Sequence, residues 1–316
     1  MTFQEYLEGC KAKNLKVYVD PCSGNNGDLL IWEGMKVVLG ASAIALSEDP
    51  RDASVIVING GGMFIDQYSQ GLNKVRDYSE RFPNTELCIA PNSFGFKQVN
   101  FKDYLERRKA PTILFARERY SYDYLTGITD GLSRVSVHID HDLAFNLRTY
   151  ARAYVESNSS LGPSVSANVL VVERTDMESP DLRGSEWKNY LKKIYMMLTT
   201  EALRGVIRTI RFRYKEKSGG KLTSFAKADL AEKRIDVSSY NWLTADVSRP
   251  EYCDFETFKK IIFESDYIYS NRLHAGVWAA LIGKSVVMAE GSYHKITGIY
   301  EYSMADMDNV RLEKVI

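Results

Sequence analysis

The stretch Tyr267-Ile268-Tyr269-Ser270-Asn271-Arg272-Leu273-His274-Ala275 decides the fold class of this chain. Its apolar start is typical of a buried strand, and the run Ala275–Gly283 after it is typical of a helix stopped by glycine. A second apolar strand pattern, Ser285–Ala289, follows. This order of elements predicts a parallel α/β sheet, with Arg272 and His274 at the carboxyl edge where such sheets hold ligands.

Arg272 and His274 together predict an anion site with a proton donor beside it. A guanidinium and an imidazole at a helix amino terminus favour a negatively charged ligand, because the helix dipole adds to their charge. A helix-capping loop whose histidine forms only local hydrogen bonds is the alternative explanation of the same residues.

Strand and helix patterns alternate through the rest of the chain, which predicts parallel sheets with helical crossovers. An almost wholly apolar run, Ala53–Ile58, is typical of a strand covered on both faces. A helix is predicted from Asp28 to about Leu39, directly after a glycine-containing loop. The other strand patterns are Leu15–Asp20, Leu87–Ala90, Thr112–Ala116, Arg134–Ile139 and Asn168–Glu173.

A polar segment rich in turn residues interrupts this alternation after residue 156. Its composition predicts a linker over residues 157–167. We therefore predict two doubly wound, Rossmann-like domains, 1–156 and 168–316. The final segment, from about Gly291, packs either across a cleft between the domains or against the second sheet.

Composition excludes several classes of protein. The 41 acidic and 41 basic side chains balance, which argues against a dedicated nucleic-acid binder. The 4 cysteines include no Cys-x-x-Cys pair, so they fit a reducing compartment and give no zinc signature. The amino-terminal residues do not resemble a secretory signal, and no apolar run reaches the roughly 18 residues of a membrane span. We expect a cytoplasmic protein.

Two loops after strands of the first domain predict contacts with sugar hydroxyls. Gly24-Asn25-Asn26-Gly27-Asp28 places amides and a carboxylate at a helix start, which suits hydroxyls better than phosphate. Asp28 could equally do no more than cap its helix. Gly60-Gly61-Gly62 lets a backbone approach a ligand closely, or forms a tight turn into a helix. The triplet is not a dinucleotide fingerprint, because Ile65 stands where the third glycine is required.

Cations of the second domain predict a site for a small, highly charged ligand. Arg174 follows a strand directly, as Arg272 does, and Lys295 opens the last helix. An arginine fork matches a carboxylate or phosphate with two hydrogen bonds. A surface salt bridge of Arg174 with Glu173 or Asp176 is the alternative.

Two further histidines, His138 and His141, flank Asp140 after a strand of the first domain. Imidazole and carboxylate groups can bind zinc or manganese, but this spacing matches no standard metal motif. No metal site is therefore predicted. A role in contacting a sugar is preferred for one of these histidines.

Several of these segments resemble, in order, the motifs of the polysaccharide pyruvyl transferase family. Ser270–Ala275 resembles the Ser-Arg-Leu-His-Ala signature, with Asn271 inserted after the serine. Gly24–Asp28 resembles the Gly-Asn-x-Gly-Asp loop, and Asn59-Gly60-Gly61-Gly62 resembles the glycine triplet after a strand. Tyr293-His294-Lys295 resembles the closing Tyr-x-x-Lys element, one residue shorter. Asp142 and Ala144 resemble an Asp-x-Ala segment, so the resemblance covers roughly residues 15 to 300.

The resemblance implies a glycosyltransferase-B-like arrangement with a cleft between the domains. It also implies transfer of pyruvate, as a ketal, from phosphoenolpyruvate to a sugar of a cell-surface polysaccharide or its precursor, without a cofactor. In this reading His274 is the acid, Asp28 or a first-domain histidine is the base, and Arg272, Arg174 and Lys295 hold the donor. The residues expected on the acceptor side are Asn25, Asn26, Gly60, Gly61, Gly62, His138 and Asp142.

An amphipathic stretch, Trp187–Arg211, leads into a basic segment ending near Lys221. This basic face could dock on anionic lipid headgroups and bring the enzyme to a lipid-linked oligosaccharide. The solvated face of a core-packed helix is the alternative.

Two other functions fit the same architecture. A glycosyltransferase would use a nucleotide sugar, and Glu290, after a strand of the second domain, could bind its ribose hydroxyls. A non-catalytic sugar-binding or regulatory protein is the third reading, which the presence of both Arg272 and His274 disfavours.

Overall fold

The computed structural model describes residues 1–20, 24–159, 168–174, 220–236, 238, 240–291 and 293–315. The chain divides into two compact units, each containing one parallel sheet flanked by helices. The first unit comprises Met1–Ser160 with Thr297–Asp308, and the second comprises Leu161–Ile296 with Asn309–Ile316. The predicted α/β class with two Rossmann-like, parallel-sheet domains is confirmed.

The first sheet is wholly parallel among the described strands, in the order β1-β2-β4-β5-β6, with β3 also paired to β4. Its strands are β1 (Val17–Asp20), β2 (Val55–Ile58), β3 (Gly61–Ile65), β4 (Glu86–Gly95), β5 (Thr112–Ala116) and β6 (Val135–Ile139). Its helices are α1 (Phe3–Ala12), α2 (Asn26–Ser42), α3 (Gln70–Arg81), α4 (Phe101–Glu106), α5 (Arg119–Thr129) and α6 (Arg148–Asn158). A 3₁₀ helix, Leu143–Leu147, precedes α6.

Helices cover both faces of this sheet, which explains why its strands are apolar at successive positions. Val55 and Val57 point to the face covered by α1 and α2, where they pack with residues such as Ile31. Ile56 and Ile58 point to the opposite face, covered by α3, α4 and α5. Each fully buried aliphatic side chain of this kind contributes roughly 1.5–3 kcal/mol to folding.

The direction of winding reverses between β1 and β2. After α2 the chain forms a parallel bridge from Leu46 to Val17. The N–H and C=O groups of Val17 both bond to this segment, at 2.9 Å each, so it lies on the side of β1 opposite to β2. The chain then crosses to β2. Ligands bind outside the carboxyl ends of strands at such a switch point, and the loops Gly24–Asp28 and Asn59–Gly60 follow these two strands.

The second sheet has the order β11-β10-β9-β7-β8 and is wholly parallel among the described strands. Its strands are β7 (Asn168–Val172), β8 (Asn241–Thr244), β9 (Tyr267–Ser270), β10 (Ser285–Ala289) and β11 (Val310–Glu313). The described helices are α7 (Lys221–Glu232), α8 (Phe255–Glu264), α9 (Leu273–Leu281) and α10 (Lys295–Ser303). Because β7 lies between β8 and β9, the order reverses between β7 and β9.

The last part of the chain is divided between the two units, whereas the predicted second domain, 168–316, is continuous. Thr297–Asp308 packs with the first unit, and Asn309 onward returns to the second, where Val310–Glu313 forms β11. One close contact within the first unit is at Gly298, where a side-chain carbon would lie 3.1 Å from Glu118 Cβ. This glycine lets α10 approach the start of α5.

Some predictions concern residues that the structure does not describe or arrangements that it does not test. Most of the predicted linker and the whole amphipathic stretch lie outside the described residues. No helix in the described ranges combines the length and apolar character needed to cross a membrane. The predicted cleft and glycosyltransferase-B-like arrangement stay predictions.

Candidate active site

Hydrogen bonds tie the end of β7 to the loop that follows β9. The Asn271 N–H donates to the Val172 carbonyl at 3.2 Å, and the Arg174 N–H donates to Asn271 Oδ1 at 2.6 Å. Within the loop, Ser270 Oγ accepts from the Arg272 N–H at 3.0 Å and donates to the Arg272 carbonyl at 2.8 Å. The inserted asparagine therefore connects the two strands at the switch point.

Arg272 is the N-cap residue of α9, and its guanidinium is bound by Asp246. Arg272 Nε donates to Asp246 Oδ1 at 2.9 Å, and Nη2 donates to Asp246 Oδ2 at 2.6 Å. Both side chains are buried. Arg272 thus makes with Asp246 the kind of two-bond contact that was predicted with the donor, and the donor contact itself is not tested by this structure. Sequence reasoning missed Asp246, which follows β8 by two residues.

His274 lies in the first turn of α9 and is 8% exposed. The Gly276 N–H donates to the Arg272 carbonyl at 3.2 Å, which starts the helix at this point. A side-chain carbon at Gly276 would lie 2.9 Å from Met288 Cε, so glycine lets α9 lie close to β10. The start of α9 and its packing against β10 together determine the position of the His274 imidazole.

The other predicted cations also follow strand ends of this sheet. Arg174 is half-buried, two residues after β7. Lys295 is the first residue of α10, as predicted, and its ammonium lies 6.0 Å from the centre of the Tyr293 ring. The Glu173 carboxylate accepts from the Gly220 N–H at 2.9 Å and so caps α7. Asp176 lies outside the described residues.

The loop before α2 forms a capping box, so α2 begins at Asn26, two residues earlier than predicted. Asn25 Oδ1 accepts from the Gly27 N–H at 2.8 Å, and Asp28 Oδ2 accepts from the Asn25 N–H at 2.9 Å. A side-chain carbon at Gly24 would lie 2.0 Å from Asp28 Oδ2, so a larger residue there would displace the capping carboxylate. Asp28 acts as a capping residue, and its further role in catalysis stays a prediction.

The glycine triplet spans the break between two strands rather than a turn into a helix: Gly60 lies between β2 and β3. Gly61 and Gly62 begin β3, which continues the pairing of β2 along the long strand β4. Gly61 has φ +149°, a backbone conformation that favours glycine. A side-chain carbon at Gly60 would lie 2.8 Å from the Pro91 carbonyl oxygen. The glycines therefore permit a break between two strands that share one partner.

The three polar residues around β6 lie in different environments. His138 is half-buried in β6, with its ring 5.3 Å from that of Phe115, and burial lowers its pKa. His141 is exposed, and its Nδ1 lies 2.8 Å from Ser303 Oγ. Asp142 is fully buried, and its predicted contact with an acceptor sugar stays a prediction.

Asp142 pairs with Arg117, which the sequence analysis did not select. Arg117 follows β5 directly, and its Nη1 donates to Asp142 Oδ2 at 2.5 Å while Nε donates to Ser93 Oγ at 2.9 Å. The same rule that selected Arg174, an arginine directly after a strand pattern, would have found Arg117.

Within the described ranges, no group of three or more His, Cys, Asp or Glu side chains is placed to hold a metal ion. Among the residues that the structure describes, Cys10, Cys88 and Cys253 form no disulfide.

Comparisons with known proteins place these residues in a family context. A family model described as polysaccharide pyruvyl transferase matches residues 10–292. The protein named "Putative pyruvyl transferase EpsO" of Bacillus subtilis (strain 168) is 23% identical over 321 residues, covering 94% of this chain and 87% of that protein. A crystal structure of a functionally uncharacterized protein from Klebsiella pneumoniae subsp. pneumoniae NTUH-K2044 has a similar fold. It gives a TM-score of 0.60 at 19% identity and covers 99% of this chain and 97% of that one.

Proposed function

The chain belongs to the polysaccharide pyruvyl transferase family, and we propose that it uses phosphoenolpyruvate to form a pyruvate ketal on a sugar. Membership makes the chain a transferase that acts on a polysaccharide. The proposed acceptor is one sugar unit of a cell-surface polysaccharide or of its lipid-linked precursor. The proposed location is the cytoplasm, with contact to the inner membrane face when the acceptor is lipid-linked.

The observation that carries the donor assignment is the bond from the Arg174 N–H to Asn271 Oδ1, at 2.6 Å. It connects the strand end bearing Arg174 to the loop bearing Arg272 and His274, at a switch point where α/β sheets bind ligands. Phosphoenolpyruvate has a carboxylate and a phosphate. We assign Arg174 and Lys295 to these groups, because cations bind both through charge-assisted hydrogen bonds.

Arg272 has a different role in this proposal. Its Nε and Nη2 atoms already bind Asp246, so we assign it to holding the start of α9 and the position of His274. A positioning role of this kind predicts that changes at Arg272 reduce turnover more than donor affinity.

The proposed chemistry begins when His274 protonates the methylene carbon of the donor. One sugar hydroxyl then attacks the neighbouring carbon and loses its proton to a base, for which Asp28 or His138 is the candidate. Departure of phosphate and attack by the second hydroxyl complete the ketal. The second hydroxyl proton leaves with the phosphate, so the products are the ketal and inorganic phosphate.

The test of this function is a donor screen with two readouts. Phosphoenolpyruvate should raise the melting temperature, since a ligand at 100 times its dissociation constant adds about 2.7 kcal/mol. UDP- and GDP-sugars should not. Stabilisation by a nucleotide sugar, without any by phosphoenolpyruvate, would support the glycosyltransferase alternative.

The second readout is release of inorganic phosphate in the presence of acceptor. His274→Ala should keep donor-induced stabilisation but lower phosphate release by roughly 10²- to 10⁴-fold, the usual contribution of a positioned acid. His141→Ala is the matched control, and His138→Ala tests the candidate base. If one of these two variants loses release while His274→Ala keeps it, the acid is assigned to the wrong histidine.

A further inference from the structure

Three buried residues at neighbouring strand ends of the first unit have unused polar atoms. Asn59 follows β2, Asn92 lies in β4 and Arg117 follows β5, and each is 0% exposed. Within the described part of the chain, four of their atoms lack a hydrogen-bond partner: Asn59 Nδ2, Asn59 Oδ1, Asn92 Oδ1 and Arg117 Nη2. Buried polar atoms are almost always hydrogen-bonded, so such a group calls for an explanation.

Hydrogen bonds join these residues into one group. Asn92 Nδ2 donates to the Asn59 carbonyl at 3.0 Å and to the Ala90 carbonyl at 2.9 Å. The Arg117 N–H donates to the Asn92 carbonyl at 3.1 Å. The Asn92 amide is thereby held in one orientation, with its oxygen left over. The group includes a strand end of the β1/β2 switch point, where ligands bind in this class of sheet.

The charge of this group is compensated. Arg117 Nη1 binds Asp142 Oδ2 at 2.5 Å, and both side chains are 0% exposed. The four atoms without partners are two nitrogen donors and two oxygen acceptors, and the Arg117–Asp142 pair adds no net charge. A hydroxyl both donates and accepts, so two hydroxyls match this set. An anion would leave the two acceptor oxygens unused and would lie near the buried Asp142 carboxylate.

We propose that Asn59, Asn92 and Arg117 form a subsite for two neighbouring hydroxyls of a neutral sugar. The Asn59 amide presents a donor and an acceptor to one part of the diol, and Arg117 Nη2 with Asn92 Oδ1 presents the second pair. The subsite rests on the proposed function in taking the sugar acceptor as its ligand. It is distinct from the residues of the Gly24–Asp28 loop.

The test measures sugar binding without any donor. The probes are the methyl pyranosides of glucose, galactose and mannose, observed by saturation-transfer NMR. Asn59→Leu removes the unused amide and replaces it with an apolar side chain of similar size. Asn59→Ala also removes the amide, and its smaller side chain cannot crowd the neighbouring residues. Asn309→Leu is the matched control, because Asn309 Nδ2 already donates to the Ala280 and Lys284 carbonyls.

We expect at least one pyranoside to bind the wild-type protein. Both Asn59 variants should weaken that binding about tenfold or more, as expected for two lost hydrogen bonds. Asn309→Leu should not change it. Phosphoenolpyruvate should stabilise all of these proteins equally. The Asn59 variants should melt no lower than wild type, because they remove polar atoms that lack partners.

The proposal is overturned if no pyranoside binds the wild-type protein, or if both Asn59 variants bind it as well as wild type does. In the second case the unused atoms bind water only. It is also overturned if both variants unfold, or if they lose phosphoenolpyruvate binding, which would make this an anion site. The subsite and the proposed donor can also be separated. If the Asn59 variants lose pyranoside binding but phosphoenolpyruvate does not stabilise the wild-type protein, the subsite is supported and the proposed donor is refuted.

Discussion

Each unit contains a buried arginine–aspartate pair beyond the carboxyl ends of its sheet, and the two pairs are built differently. In the first unit Arg117 contacts Asp142 through Nη1 and leaves Nη2 without a partner among the described residues. In the second unit Arg272 binds Asp246 through both Nε and Nη2. One pair leaves a donor unused inside the fold, and the other uses a planar fork to hold a loop.

The difference shows that an arginine at a strand end is not by itself an anion site. A guanidinium offers five N–H donors, and its role depends on which of them the fold already uses. Arg272 follows the rule for ligand-binding loops of α/β sheets, yet most of its fork is committed to Asp246. Arg117 was overlooked in the sequence, yet it keeps a nitrogen unused.

Removal of the carboxylates should give the largest effect. Asp142→Ala and Asp246→Ala each leave a buried guanidinium without its counter-charge, which costs about 3–5 kcal/mol. We expect Asp142→Ala to lie at the upper end, because the Arg117 side chain is 0% exposed and that of Arg272 is 7% exposed. Urea unfolding of both variants measures the difference. A larger loss for Asp246→Ala would mean that hydrogen-bond geometry outweighs burial.

Arg272→Lys should have the next largest effect. Lysine carries one ammonium and cannot reproduce two parallel hydrogen bonds to Asp246, so we expect a loss of about 1.5–3 kcal/mol, the value of a hydrogen bond to a charged group. Turnover should fall. The phosphoenolpyruvate concentration that gives half of the maximal rise in melting temperature should stay within about twofold of the wild-type value. A large loss of donor affinity without loss of stability would instead assign Arg272 to the donor itself.

The asparagines that order the two loops should give smaller and similar effects. Asn25→Ala removes the acceptor of the Gly27 N–H, and Asn271→Ala removes the acceptor of the Arg174 N–H. Each should cost about 1 kcal/mol, the usual value of a lost cap or neutral hydrogen bond. Thermal melts of the two variants test this. A much larger loss for Asn271→Ala would show that the link between β7 and β9 stabilises more than one loop.

Asp28→Asn should have the smallest effect on stability. The new amide oxygen can still accept the Asn25 N–H, so we expect a change within about ±0.5 kcal/mol. The substitution removes the negative charge and the ability to take a proton. Phosphoenolpyruvate should therefore bind normally while pyruvate transfer falls at every acceptor concentration. Normal transfer would restrict Asp28 to its capping role.

The agreement between sequence and structure is closest where one element can be recognised from its own residues. Thr112–Ala116 and Ser285–Ala289 are strands at the predicted bounds, because short apolar runs between polar segments are typical of buried parallel strands. The start of α10 at Lys295 is also confirmed. Strand β3 was missed because a glycine pair normally indicates a loop, and its pairing depends on β4.

The position of Arg272 and His274 at the carboxyl edge of a parallel sheet was determined by the sequence alone. A strand pattern precedes these two residues and a helix pattern follows them, so they must lie where the strand ends. Both patterns can be recognised in the sequence because periodicity is a local property of the chain. The partners of these groups were decided only by the tertiary structure. Asp246 is 26 residues from Arg272, and Asp142 is 25 residues from Arg117. Such pairs form only when strand order brings two loops together and burial excludes the water that would otherwise compete for each charge.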